Sequence, residues 1–319
     1  MPDQLSRMLG ERPWLLADGA TGTNLYNMGL APGTAPDLWC ESHPDKVLDL
    51  HRRMIAAGAD IILTNSFGAN ASRLRLASAQ DRVGPLNRAA ARLAREASDG
   101  SGRAVIVAGS VGPIGEIMAP MGRLTEAEAA AMFTQQAQAL KEGGADLLWV
   151  ETISAAEEMR AASRAAQAAG LPWCGMMSFE SGGRSMMGMT PAQLAALVDR
   201  LPCPPVAYGA NCGTGPAELL LAVAGFSASG SERPVIAKPN AGVPRYQDGG
   251  LVYDATPAVM AEFAVLARDM GVRIIGGCCG TTPEHLAAMR DALVGAPRGP
   301  RPTPEHISAR IAQAMGPGE

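Results

Sequence analysis

Short apolar runs alternate with longer alanine-rich amphipathic stretches along the whole chain. Each apolar run is short enough for a buried strand and ends in glycine or small polar residues, whereas the longer stretches have the spacing typical of helices. Many helical stretches end in a glycine just before the next strand, as at Gly58, Gly144 and Gly271. The predicted strands cover residues 14–21, 60–67, 104–112, 146–153, 172–180, 205–212, 234–242 and 273–280. Predicted helices include residues 45–57, 125–143, 155–169, 191–201 and 256–270.

Strands that alternate with helices form a parallel sheet, and eight such units match a closed (β/α)8 TIM barrel. An open doubly wound sheet is the alternative, but no Gly-x-Gly-x-x-Gly motif follows the first predicted strand. The sequence therefore predicts one α/β barrel domain over residues 1–295. Residues 296–319 are predicted to form a linker and a C-terminal tail, either solvated or packed as an arm on a partner subunit of a homo-oligomer.

Composition narrows the classes of function. The net charge of -4, the pI of about 5.7 and the scarcity of aromatic residues argue against a nucleic-acid surface. Neither a signal peptide nor an apolar run long enough for a membrane span is evident, so we expect a cytoplasmic protein with reduced thiols. Of the six cysteines, Cys40, Cys174 and Cys203 are interpreted as packing residues because glycine does not flank them on both sides.

The remaining three cysteines follow two predicted strands. Cys278 and Cys279 lie within Gly-Gly-Cys-Cys-Gly-Thr-Thr, and Cys212 lies within Gly-Ala-Asn-Cys-Gly-Thr-Gly. Three thiolates suit a zinc ion with one open position, at which a sulfur substrate would lose its proton and become a nucleophile. The alternatives are a redox pair, which adjacent cysteines form only with strain, and a structural zinc, which normally has a fourth Cys or His nearby.

Two carboxylates end predicted strands at the same rim. Asp18 precedes Gly19, Ala20 and Thr21, whose backbone amides can bind a carboxylate, while the Asp18 side chain can accept from an ammonium group. Glu151 ends a strongly apolar strand, where a carboxylate needs a partner such as the amino group of an amino acid. The plainer interpretations are a turn stabilised by Asp18 and a structural ion pair at Glu151.

Three other residues have weaker signals. Asn240 can offer an oxygen at the rim, although it is equally suited to making a turn. Trp39 lies in a loop where its ring can face a cationic methyl donor, or can simply pack in the core. Lys238 is the only lysine at the predicted rim, so a barrel lyase that forms a Schiff base on Lys238 stays open, as does a non-catalytic zinc-binding barrel.

Taken together and in order, these motifs resemble the homocysteine S-methyltransferase family over residues 10 to 295 or so. The sequence is most similar to the bacterial betaine–homocysteine methyltransferases. The segments that carry the resemblance are Asp-Gly-Ala-Thr-Gly-Thr at 18–23, Gly-Ser-Val-Gly-Pro at 109–113, Glu-Thr at 151–152, Gly-Ala-Asn-Cys-Gly at 209–213 and Gly-Gly-Cys-Cys-Gly-Thr at 276–281.

The resemblance implies a (β/α)8 barrel whose zinc is held by the three thiols named above and whose fourth ligand is the sulfur of homocysteine. It implies that Asp18 and Glu151 meet the amino group, and that the amides around Ala20 and Thr21 hold the carboxylate. Without substrate, Asn240 would be the fourth ligand. The implied product is methionine.

The resemblance also implies a small methyl donor, with glycine betaine first. Trp39 matches the tryptophan that faces the betaine methyl groups in animal enzymes, whereas Gly68 and Thr152 stand where two tyrosines of that pocket align. The alternatives are a sulfonium donor, such as S-methylmethionine or a dimethylsulfonio compound, and a separate corrinoid or folate methyl-carrier protein.

Overall fold

The computed structural model describes residues 3–180, 182–226, 231–247 and 250–316. Its largest sheet has eight parallel strands in the spatial order first, eighth, seventh, sixth, fifth, fourth, third and second along the chain. These strands are Leu15–Leu16 (β1), Ile61–Leu63 (β2), Ile106–Val111 (β3), Leu147–Ile153 (β4), Trp173–Met177 (β5), Ala207–Cys212 (β6), Val235–Pro239 (β7) and Ile274–Ile275 (β10).

The sheet closes on itself. Ala17, directly after β1, forms a parallel bridge with Ile61 of β2 and so joins the two ends of the strand order. Every pairing within the sheet is parallel. The predicted (β/α)8 barrel is confirmed, and the open doubly wound sheet is wrong.

Helices connect the strands. Threonine side chains cap several of them, and complete capping boxes begin the helices after Thr125 and Thr190, as expected for Thr-x-x-Glu and Thr-x-x-Gln. The α-helices in the described part of the chain are Gln4–Glu11 (α1), Gly22–Asn27 (α2), Trp39–Ser42 (α3), Pro44–Ala57 (α4), Ala71–Arg75 (α5), Val83–Asp99 (α6), Glu126–Gly143 (α7), Ala156–Ala169 (α8), Pro191–Val198 (α9), Pro216–Ala224 (α10), Pro257–Asp269 (α11), Pro283–Gly295 (α12) and Pro304–Met315 (α13).

A short antiparallel hairpin, which the sequence pattern did not predict, lies between β7 and α11. Its strands are Arg245–Gln247 (β8) and Gly250–Val252 (β9). Because it follows the carboxyl end of β7, it belongs to the rim at which barrel enzymes have their active sites.

The apolar core has two main parts. Inward-facing strand residues such as Leu15, Ile106 and Trp149 form one cluster, which also contains Leu5 and Met8 of α1. The N-terminal helix therefore packs against the interior of the barrel. A larger cluster lies between the outer faces of the strands and the surrounding helices. Among the described helices, none is long and apolar enough to cross a membrane.

The segment after α12 is attached to the same barrel. Arg268 of α11 is buried and donates hydrogen bonds to the carbonyls of Ala296 and Pro297 at 2.7 and 2.8 Å. The helix α13 packs against α10 and α11 and buries Ile307 and Ile311. This part of the predicted tail thus contacts its own chain, while residues 317–319 lie outside the described residues.

Candidate metal and substrate site

The structure brings together the three thiols that the sequence singles out. The Sγ atoms of Cys212, Cys278 and Cys279 all lie within 4.8 Å of one another, and those of Cys212 and Cys278 are 3.6 Å apart. Cys212 is the last residue of β6, and the other two follow β10. Strands six and eight of the barrel therefore supply one cluster, although 66 residues separate Cys212 from Cys278.

The backbone has an unusual conformation at Cys212, next to the other two thiols. Cys212 has a left-handed φ of 64°, a region that residues with a side chain rarely adopt. Thr152 at the end of β4 shares this feature, also with φ of 64°. The side chain of Asn211 links the two positions: its Oδ1 accepts from the Thr152 amide and its Nδ2 donates to Thr152 Oγ1, both at 2.8 Å. Asn211 is thus a supporting residue of the thiol cluster.

The thiols strongly affect one another's protonation. Hydrogen bonds from Cys212 and Cys278 lower the pKa of Cys279 to about 3, with a smaller lowering from the hydroxyl of Tyr253. The hydrogen bonds that Cys212 donates raise its own pKa well above the ordinary value, and burial raises it further. One sulfur is therefore readily ionised, whereas full ionisation of all three requires a positive charge among them.

The donor set fits zinc. Sulfur ligands about 2.3 Å from a tetrahedral zinc stand about 3.8 Å apart, close to the separations in the cluster. Thiols that coordinate zinc lose their protons, and the positive charge of the zinc ion offsets the repulsion among the resulting thiolates. The three cysteines supply three of four positions, as in zinc sites that keep one position for a substrate.

Asn240 connects the two loops that carry the cysteines. Its Nδ2 donates to the carbonyl of Gly213 at 2.7 Å, and its Oδ1 accepts from the amide of Cys279 at 3.1 Å. Both ends of the side-chain amide thus hold backbone next to a thiol. Its role as a fourth zinc ligand stays a prediction.

Asp18 forms a buried ion pair with Lys238. Its Oδ1 accepts from Lys238 Nζ at 3.0 Å, and its Oδ2 accepts from the amide of Leu63 at 2.7 Å. Both charged side chains are almost fully buried, with Lys238 1% exposed. Burial lowers the pKa of Lys238, but the negative charges of Asp18, Glu151 and Cys278 outweigh burial and leave that pKa above its ordinary value. Lys238 is therefore a charged partner of Asp18, and its ammonium form is not a nucleophile.

Glu151 has a different environment. The side chain is 6% exposed, and its Oε1 accepts from Ser110 Oγ at 2.7 Å. Burial raises the pKa of Glu151 to about 7, against the lowering effect of Lys238. The charges of Cys278 and Asp18 raise the pKa of Glu151 as well. The residue is poised between its neutral and ionised forms near neutral pH.

The loop after Asp18 packs tightly against the loop of the paired cysteines. A Cβ atom at Gly19 would come within 2.5 Å of the Thr281 carbonyl, so only glycine fits there. The Ala20 amide donates to that carbonyl at 3.1 Å. Within the described residues, the amides of Gly19 and Thr21 have no hydrogen-bond partner, which leaves them as the candidates for binding a carboxylate.

Trp39 lies in the core at the start of α3. The residue is 5% exposed and its ring stacks on His43, with ring centroids 4.5 Å apart. Lys46 Nζ stands 4.8 Å from the centre of the same ring. A cation thus already occupies the aromatic surface that the sequence analysis assigned to a cationic donor.

Sequence reasoning missed the residues that support the site from other strands. Asn211 and Ser110 lie inside motifs that were recognised, but nothing in the sequence shows what their side chains bind. Lys238 was considered only as a nucleophile, because a pairing across 220 residues leaves no local pattern. Tyr253 follows the hairpin that was not predicted.

The fold is a (β/α)8 barrel, and three thiols meet at the rim where barrel enzymes have their active sites. The sequence profile of the family described as homocysteine S-methyltransferase matches residues 15–293. The chain belongs to the homocysteine S-methyltransferase family. The predicted class of enzyme, an S-methyltransferase with homocysteine as acceptor, is confirmed at the level of this family.

Individual relatives are similar over most of the chain. The methionine synthase of Mycobacterium tuberculosis is 31% identical over 303 residues, which cover 90% of this chain and 25% of the relative, so the chain spans about a quarter of that protein. The homocysteine methyltransferase MmuM of Escherichia coli, in its oxidized form, superposes with a TM-score of 0.74 at 26% identity, covering 91% of this chain and 99% of MmuM. Its metallated form gives a TM-score of 0.73 at 25% identity, covering 90% and 98%.

Proposed function

We propose that this chain holds a zinc ion on Cys212, Cys278 and Cys279 and uses it to methylate the sulfur of homocysteine, giving methionine. The convergence of three thiols from two strands onto one point carries this proposal. The metallated form of MmuM supports it, since a protein of the same fold binds metal.

The chain's own residues bind and orient the acceptor. Zinc on the three sulfurs would stabilise the thiolate of the acceptor at neutral pH. Glu151 lies on β4, and Asp18 follows β1, the neighbour of the strand that precedes Cys278 and Cys279; both would supply negative charge for the amino group. The amides of Gly19 and Thr21, which have no hydrogen-bond partner within the described residues, would bind the carboxylate. Alignment of the sulfur with the donor methyl group then accounts for much of the rate.

Glycine betaine is the first donor to test, as the resemblance implies. For its trimethylammonium group to contact Trp39, Lys46 would first have to leave the ring. Betaine binding at this point therefore requires either movement of Lys46 or a set of contacts other than the Trp39 ring.

A methyl donor carried by another protein is the second candidate. Exposed apolar side chains stand on the loops after β3 and β5, at the rim of the barrel. Exposed apolar side chains on the rim loops can form part of a surface that meets a partner. These side chains are Ile117, Met121, Met186 and Met187.

The test is a panel of donors with homocysteine and zinc-loaded protein, with methionine formation as the measurement. The panel contains glycine betaine, S-methylmethionine, dimethylsulfoniopropionate and free methylcobalamin. Activity with any of them supports homocysteine methylation and identifies the donor class. No methionine from any donor, together with no binding of homocysteine to the zinc-loaded protein, would overturn the proposal.

A matched pair of variants tests the metal site. Cys278→Ser removes one of the three sulfurs and should abolish stoichiometric zinc binding, measured by mass spectrometry of the metal. Cys203→Ser serves as the control, because Cys203 lies before β6, at the opposite end of that strand from Cys212. Equal zinc content in both variants would argue against zinc at the three thiols.

A further inference from the structure

The ring of Tyr253, the residue after β9 of the rim hairpin, lies against the backbone of the paired cysteines. A Cβ atom at Gly280, directly after Cys279, would stand 2.3 Å from Cγ of this ring and 2.7 Å from its Cβ and Cδ2. Gly280 also has a left-handed φ of 81°. The tyrosine therefore covers the turn after Cys279, and only a residue without a side chain leaves room for it there.

The hydroxyl of Tyr253 is a hydrogen-bond donor to the sulfur of Cys279. Hydrogen bonds from Cys212 and Cys278 account for most of the lowering of the Cys279 pKa, and Tyr253 adds to it. Burial raises the pKa of Tyr253, and the charge of Cys279 raises it further, so the phenol keeps its proton. A protonated phenol beside an ionised sulfur donates a charge-assisted hydrogen bond.

The backbone near Tyr253 is tied to the same cysteine. The amide of Ala255 donates to the carbonyl of Ala241 at 2.9 Å, and the amide of Ala241 donates to the carbonyl of Cys279 at 2.8 Å. His285 Nε2 donates to the carbonyl of Ala255 at 2.9 Å. The fold thus fixes where the tyrosine stands relative to Cys279, through a short chain of hydrogen bonds.

Cys278, the other member of the pair, also has an uncharged donor beside it. Nδ2 of Asn211 lies 3.7 Å from Cys278 Sγ, a weak hydrogen bond, in addition to its contact with Thr152. Three thiolates around a divalent cation carry one net negative charge, and the thiolate of an acceptor adds another. Hydrogen bonds to sulfur spread this charge over neighbouring groups without adding a positive charge to the site.

We propose that Tyr253 is a positioning residue of the metal site, whose hydroxyl hydrogen-bonds to the Cys279 thiolate and limits the negative charge that this sulfur gives to zinc. A sulfur that donates less charge leaves the cation better able to stabilise the thiolate of the acceptor. The inference rests on the proposed function in one respect, namely that zinc lies on the three thiols.

Tyr253→Phe is the variant that tests this role, because it removes the hydroxyl and keeps the ring against Gly280. Tyr26→Phe is the matched control, since Tyr26 lies on α2 and is exposed. Cobalt(II) is the probe: its thiolate-to-metal charge-transfer band reports on the sulfur ligands, and its d–d bands report on the number and arrangement of ligands. Competition with a chelator measures the zinc affinity of the same proteins.

Loss of the hydrogen bond raises the energy of the sulfur electrons. The charge-transfer band of cobalt-loaded Tyr253→Phe should therefore move to longer wavelength than in native protein, with the d–d bands unchanged. Zinc affinity should fall about tenfold or more, because the coordinating thiolate loses a group that stabilises it. Tyr26→Phe should match native protein in both measurements, and circular dichroism shows that each variant is folded.

A charge-transfer band at the native wavelength in Tyr253→Phe would overturn the inference, whatever the zinc affinity. Altered d–d bands in that variant would also overturn it, because they would show that the tyrosine oxygen is itself a ligand. Native protein that binds cobalt and zinc through sulfur but shows no effect of Tyr253→Phe refutes this inference alone. Native protein that binds neither metal through sulfur refutes the metal site of the proposed function.

Discussion

At the scale of single residues, Glu151 connects protonation to binding. Its pKa of about 7 means that ionisation, and with it attraction for an ammonium group, increases steeply from pH 6 to 8. Methionine is the suitable probe, because its thioether does not titrate. We expect its affinity, measured by calorimetry, to rise about tenfold over that range. In Glu151→Gln the affinity for methionine should not change with pH over this range. An equally steep pH dependence in that variant would assign the change in affinity to another titrating group.

The raised pKa of Glu151 also makes the free energy of unfolding depend on pH. The folded protein keeps a proton on Glu151 up to about pH 7, whereas the unfolded chain loses it near the ordinary value of 4.5. The free energy of unfolding therefore falls as the pH rises from about 4.5 to 7. Relative to Glu151→Gln, the native protein should lose up to about 3 kcal/mol across this window in urea unfolding. A constant difference between the two proteins would contradict the shift.

The sequence identified the chemistry of individual residues better than their partners. Cys212, Cys278 and Cys279 were predicted to meet because parallel strands end at one rim, and they do. The ion pair of Asp18 with Lys238 was not predicted, since spacing does not reveal which side chains cross a barrel interior. The burial of Trp39 beneath Lys46 likewise depends on tertiary packing alone.

At the scale of elements, close contact between β6 and β7 depends on Gly209. A Cβ atom there would stand 2.0 Å from the carbonyl oxygen of Ile236, and backbone in a central strand has little freedom to move away. We expect Gly209→Ala to destabilise the protein by about 3 kcal/mol or more in urea unfolding, and to lower zinc affinity because Cys212 ends the same strand.

Gly10 of α1 provides the control for this substitution. No atom lies within 4 Å of a Cβ placed at Gly10, and its backbone is helical. Gly10→Ala should be neutral or stabilising by about 0.5–1 kcal/mol. Similar destabilisation by both substitutions would show that crowding against β7 is not the cause.

Helix α13 offers a second test at this scale. Ile307 is fully buried where α13 packs on α10 and α11. Ile307→Ala should lower the free energy of unfolding by about 3 kcal/mol without changing the molecular mass of the protein in solution. Gln313 is exposed, so Gln313→Ala should change the free energy of unfolding very little. Loss of a larger assembly in Ile307→Ala would instead support the arm on a partner subunit that the sequence analysis considered.

The types of the elements were predictable because the strands are short apolar runs, whereas the helices are longer stretches with amphipathic spacing. The eight barrel strands were each predicted too long. In six of them the last predicted residues belong to rim loops and do not pair, so that β1 and β10 have only two residues each. The strands β4 and β6 end at Ile153 and Cys212 as predicted and were too long only at their amino ends. The β8–β9 hairpin was missed because its sequence lacks the alternation that marks a strand pair.

At the scale of the whole molecule, the thiol cluster joins the sixth strand to the eighth, with β7 between them. A ligand that binds only the folded state raises stability by mass action, by about 4 kcal/mol at a concentration 1,000 times its dissociation constant. Saturating zinc should therefore raise the thermal midpoint by roughly 5–10 °C. Chelation should reverse this rise, and Cys278→Ser should show none. Asn211→Ala, with all three sulfurs kept, should retain only part of the rise, because Asn211 fixes the backbone around Cys212. A midpoint that zinc shifts equally in native protein and Cys278→Ser would place the stabilising ion elsewhere.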